Sequence, residues 1–155
     1  MDLKKLDLNE QVSIESLILA NHVEAANGLL YVSGGGWTTH TRQASLGGPP
    51  ALSHLGVALI VAIPWNQTNR DHRVMIEFRD EDANQVGNIT AQMNVGRLPG
   101  MRPGTMQYFP IALSINMSFP HTGGYELVAH VEGIDGSERR WTFQVQDIQP
   151  LAATA

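Results

Sequence analysis

Apolar and polar residues alternate through three successive segments between residues 108 and 145, the period of strands with one buried face. Their inward positions are Phe109, Ile111, Leu113, Ile115, Met117 and Phe119, then Tyr125, Leu127, Ala129 and Val131, then Trp141, Phe143 and Val145, with turns at 120–124 and 133–137. Upstream, Val74, Ile76 and Phe78 alternate with charged neighbours, and Ile89, Ala91, Met93 and Val95 alternate with Asn88, Thr90, Gln92 and Asn94. Residues 55–65 are apolar on both faces: Leu55, Val57, Leu59, Val61, Ile63 and Trp65 on one, Gly56, Ala58, Ile60 and Ala62 on the other. A strand with two apolar faces is expected to meet a second layer on each, here another subunit or the N-terminal arm.

The segment 13–26 fits either a buried strand or a helical face, and Asn27-Gly28 decides for strand, because that dipeptide supplies the positive φ angles of a tight hairpin before residues 29–32 return. The run Gly34-Gly35-Gly36 predicts a bulge or a close backbone approach. Residues 38–50 are expected to be a connection between sheets, and 96–107 an irregular loop that its prolines and glycines keep out of any ladder. About eight strands and no helix predict an all-β chain, a two-layer immunoglobulin/fibronectin-like antiparallel β-sandwich over 13–148, with a short N-terminal arm at 1–12 and a tail at 149–155.

Charge narrows the partners. Ten Lys and Arg against fifteen Asp and Glu leave a formal charge of −5, and the only adjacent basic pairs are Lys4-Lys5 and Arg139-Arg140. Nucleic acid and anionic membrane are therefore not expected as partners. With no cysteine, a thiolate metal site, a disulfide framework and a cysteine nucleophile are all excluded. Residues 1–7 lack the apolar stretch of a secretion signal and the apolar run 57–63 is too short to span a bilayer, so a cytoplasmic protein is expected.

Candidate chemistry is sparse. Asp80-Glu81-Asp82-Ala83-Asn84 begins like a calcium loop, but Gln85 stands where the tight-turn Gly belongs, and a hairpin turn is the simpler account. The six histidines show no metal-ligand spacing, and no serine sits in a Gly-x-Ser-x-Gly elbow. No cofactor and no metal are expected. The richest polar cluster is Trp65-Asn66-Gln67-Thr68-Asn69-Arg70-Asp71-His72, which suits either a binding loop on a rigid scaffold or a core plug with a capped turn.

The segments 34–37, 63–72 and 80–84, with the closing Gly124-Tyr125 hairpin, together resemble an uncharacterised family of small bacterial β-sandwich proteins, a domain of unknown function. The resemblance covers most of the chain and implies a β-sandwich of bacterial origin, without an activity.

The expected role is non-catalytic: an assembly or protein-binding module, forming a homo-oligomer or meeting another protein through Ala58, Ile60 and Ala62 and through Met101, Arg102 and Met106 in the Pro/Gly loop. The alternative is a small-ligand or carbohydrate-binding domain using Trp37 and Trp65 as platforms and Asn66, Asn69, Arg70 and His72 as polar contacts. A hydrolase or metal-dependent enzyme whose site converges from distant loops stands third.

Overall fold

The computed structural model describes residues 10–43 and 47–148; the expected tail and residues 1–9 of the expected arm lie outside the described residues. Nine strands follow one another in the described residues: β1 (Ser13–Ala26), β2 (Leu29–Gly35), β3 (Thr39–Gln43), β4 (Ser53–Pro64), β5 (Asp71–Asp80), β6 (Gln85–Asn94), β7 (Met106–Met117), β8 (Gly123–Val131) and β9 (Arg139–Ile148). Asn27 and Gly28 take φ angles of 52° and 75° and close the β1–β2 hairpin as their types require. One turn of 3-10 helix, Trp65–Gln67, follows β4.

The strands form two sheets, ordered β2-β1-β4-β7 and β3-β9-β8-β5-β6, the second curled into a half-barrel. A common core lies between them. Leu55, Val57, Leu59, Val61 and Ile63 of β4 share it with Val74, Ile76 and Phe78 of β5, Tyr125, Leu127, Ala129 and Val131 of β8, and Phe143 and Val145 of β9. At one end Phe78, Phe119, Tyr125 and Phe143 meet mostly edge to face, the closest pair, Phe119 and Tyr125, at 4.9 Å between ring centres. Phe109, expected inside, is 37% exposed on β7, an edge strand of its sheet.

Two expectations need correction. The sheets are not wholly antiparallel: β3, inside the stretch expected to be a connection, pairs in parallel with β9 from Thr39↔Gln144 to Gln43↔Ile148. Its sequence, Thr-His-Thr-Arg-Gln, has no apolar period to announce a strand. Side-chain bonds hold it instead: Arg42 donates to Asp147 at 2.7 Å and to the Phe119 carbonyl, and His40 Nε2 meets Ser53 Oγ at 2.8 Å, tying one sheet to the other.

The second correction concerns the outer face of β4, which the chain itself covers over part of its length. Beyond the Ala20↔Gly56 pair the β1–β2 hairpin bends over its own sheet, bringing β2 into contact with β7, three places away in strand order. Val23 lies over Gly56, and Ala20, Val23 and Ala58 form a second small core with Ile18, Leu30 and Ala112 packed against it. Glycine and alanine at these positions leave room for a second layer of backbone. Ala58, expected to touch a partner, is therefore buried within the chain itself. Among the described residues no helix is long and apolar enough to cross a membrane.

Candidate functional site

The loop 65–72 is held by bonds both within itself and to neighbouring segments. Thr68 Oγ1 donates to the Trp65 carbonyl at 2.7 Å, His72 Nε2 meets the Gln67 carbonyl at 2.8 Å, and Asn66 Nδ2 donates to the Glu10 carbonyl at 3.3 Å. Asn69 adopts a φ of 59° and its N–H donates to the Val95 carbonyl at 2.8 Å, the turn role for which Asn is suited. Arg97 lies 3.6 Å over the Trp65 ring centre and donates to Thr68 Oγ1 and the Trp65 carbonyl, so one face of this indole is already occupied. Arg70 is exposed beside this turn. Of the expected polar contacts, His72 thus has work within the loop, while Asn66 and Asn69 tie it to residues 10 and 95.

The two tryptophans are not brought together. Trp65 sits at the Asp71 end of β5; Trp37 packs edge-on against Phe143 at 5.6 Å, and Phe143 pairs with Tyr125, which pairs with Asp80 at the other end of β5. Ten residues of strand, about 30 Å, separate the two levels. Trp37 lines a separate concavity of about 540 Å³ with Asn21, Gly34, Gly35, Gly36, Thr39, His40 and Thr41. Its Nε1 is buried and has no acceptor among the described residues.

His40 stands against Trp37 at 5.4 Å and Phe119 at 5.6 Å, and burial lowers its pKa from the ordinary 6.5. The unfolded chain therefore takes up this proton before the folded one does, and the contribution of His40 to stability is full above about pH 6.5 and declines as pH falls from there toward the folded value. Urea unfolding at pH 7.5 and 5.5 is expected to show a loss at the lower pH that shrinks in His40→Gln; equal losses in both proteins would refute the assignment. Ser53, bonded to His40, is only 6% exposed and lies outside the concavity, so the pair joins sheets rather than presenting a nucleophile.

The two sets of expected partner residues, by contrast, converge. Ala62 pairs with Tyr108, Ile60 with Pro110 and Pro64 with Met106, so these side chains share the outer face of the first sheet. Ala62 is buried within that face and Ile60 half-buried. Beside them Met101, Met106, Leu98 and Tyr108 line a shallow concavity of about 490 Å³, with Leu98 67% and Tyr108 63% exposed. Gln107 fixes the loop by donating to the Gly96 carbonyl at 2.9 Å. Arg102 is exposed on the same loop but does not line the concavity.

The model of a family of unknown function, DUF6941, matches residues 15–146. The chain belongs to this family. No curated protein matches it. The DUF6941 match runs from within β1 into β9 and takes in the loop 65–72, the Trp37 concavity and the apolar outer face alike.

Within the DUF6941 span the acidic turn is also explained. Partial desolvation pushes the Asp80 carboxyl up, but hydrogen bonds from the backbone and side chain of Asn84, from His121 and from the Asp82 backbone outweigh it and hold the group below the usual range. Asp80 thus serves the β5–β6 turn, and no three His, Cys, Asp or Glu are gathered for a metal among the described residues. Leu98, Tyr108 and Pro110 lie in or beside this apolar face and were not singled out from the sequence; the one signal was an aromatic opening a strand directly after a Met-bearing loop.

Proposed function

We propose that this chain is a non-catalytic assembly module, an immunoglobulin-like β-sandwich of bacterial origin that pairs with a second copy of itself through the free edge of β7 and the apolar face beside it. The observation that carries this reading is the character of the sheet edges. β2, β6 and β7, three of the four edge strands, span 7, 10 and 12 residues and contain no Asp, Glu, Lys or Arg. Free edges present unpaired N–H and C=O groups, and chains that stay apart guard them with charges. On β7 the one interruption is Pro110, and the strand's Tyr108 and Met106 adjoin Met101 and Leu98 of the preceding loop. Two copies related by a twofold axis can set β7 against β7 antiparallel with no like charges opposed, in a chain whose net charge of −5 opposes association elsewhere.

The finer fold reading rests on Tyr125, whose hydroxyl donates to the His121 carbonyl at 2.7 Å just before β8, the corner found in immunoglobulin-type sandwiches.

Light scattering and native mass spectrometry across a concentration series test the assembly. A discrete dimer is expected, and Tyr108→Glu, at an exposed position, is expected to weaken it at least tenfold without loss of fold. A wild-type monomer at every concentration overturns the reading, and a dimer indifferent to both Tyr108→Glu and Leu98→Glu overturns the choice of face.

A further inference from the structure

We propose that the concavity formed by Asn21, residues 34–37 and residues 39–41 is a binding site for a neutral saccharide, with Trp37 as its aromatic element. The site is independent of the β7 edge, so the two readings stand or fall separately.

Its volume, about 540 Å³, lies in the range of small-molecule sites. Its lining contains no formally charged side chain: an amide, two threonine hydroxyls, an imidazole, an indole and glycine backbone. Such a set offers a cation no carboxylate and an anion no Lys or Arg, whereas it supplies both donors and acceptors to a ligand that carries both. Burial keeps the imidazole of His40 toward its neutral form, consistent with that selectivity. Together, hydroxyl-matching groups and an indole describe a sugar ring, which has polar edges and an apolar C–H face.

Two further features single out this groove. Gly34 has a φ of +63°, and the Asn21 side chain occupies the space its Cβ would take, so the amide reaches this place only because position 34 is glycine. Next to it Gly36, at φ +85°, would meet nothing within 4 Å if it carried a Cβ, so the groove stands open above the backbone there. The second feature is the orphaned Trp37 Nε1. A buried donor left unmade costs about 1–3 kcal/mol, and neighbouring Trp141 shows the normal outcome, donating its Nε1 to the Trp37 carbonyl at 3.1 Å. The donor is shielded beneath the groove surface, so a saccharide hydroxyl would accept from it only with a shift of the Trp37 ring, which the indole resonance would report.

The test uses the full chain labelled with nitrogen-15. Its three tryptophans give three indole N–H resonances, and Trp37→Phe identifies that of Trp37. Cellobiose, maltose and N,N′-diacetylchitobiose are titrated in turn. The proposal expects saturable movement of the Trp37 indole and Asn21 amide signals with at least one of them, a stationary Trp65 indole, and an affinity at least tenfold weaker in Asn21→Ala, whose exposed position leaves the fold intact by circular dichroism. The hexasaccharide of any binder separates sources: tighter binding assigns the site to a polysaccharide chain, equal binding to a free sugar. No saturable shift at Trp37 with any of the three, or a shift unchanged in Asn21→Ala, overturns it.

Discussion

Phe119→Ala is expected to lower stability by about 3–5 kcal/mol, a large share of what a domain of this size possesses. Phe119 is fully buried just after β7 and contacts rings from three strands of the other sheet, Phe78, Tyr125 and Phe143 at 6.4, 4.9 and 5.7 Å, as well as His40 on β3. Truncation removes the hub of this cluster, and its neighbours, each anchored in a ladder, cannot collapse into the space. Phe119→Leu retains most of the apolar volume and is expected to lose less than half as much. Urea unfolding of the three proteins decides the matter, and a loss below about 1 kcal/mol for the alanine variant would mean that the sheets are not held together at this end by the aromatic cluster.

Gly56→Ala is expected to destabilise by about 1–3 kcal/mol, the reverse of the usual benefit of removing a strand glycine. The added Cβ would lie 2.9 Å from both Val23 methyls and 3.1 Å from the Val23 backbone nitrogen. It would push the β1–β2 hairpin off the sheet it covers, so amide exchange should quicken at residues 29–32 and stay unchanged in β9. Val23→Ala removes the clashing methyls, and the double variant should recover part of the loss, a coupling that a double-mutant cycle reads directly. A neutral or stabilising Gly56→Ala would show that the hairpin does not rest there.

Local pattern made most of the fold legible. The segment 13–26 coincides with β1, decided by two turn residues, and the apolar phase of β4, β5, β8 and β9 names their buried faces correctly because one side of each meets the core. What the pattern lacked was anything set by long-range partnership. β3 is polar throughout and becomes a strand only because β9 arrives beside it. The second apolar face of β4 is legible as covered, yet what covers it depends on the hairpin bending, which small residues at 20, 56 and 58 permit without specifying. At the candidate sites the same divide recurs: the polar cluster 66–72 stood out by composition and spends much of its chemistry on its own turn, while the Trp37 groove draws on β1, β2 and β3 and has no compact signature.

The parallel pairing of β3 with β9 also orders events in time. Arg42 and Asp147, which bond across it, are 105 residues apart, and β9 ends the described chain at residue 148. A chain emerging from the ribosome therefore carries β3 without its ladder partner until β9, about a hundred residues later, has been made. The half-barrel closes only when β9 slots between β3 and β8, so a central strand of this sheet is supplied from far along the chain, and closure waits on contacts of long sequence separation.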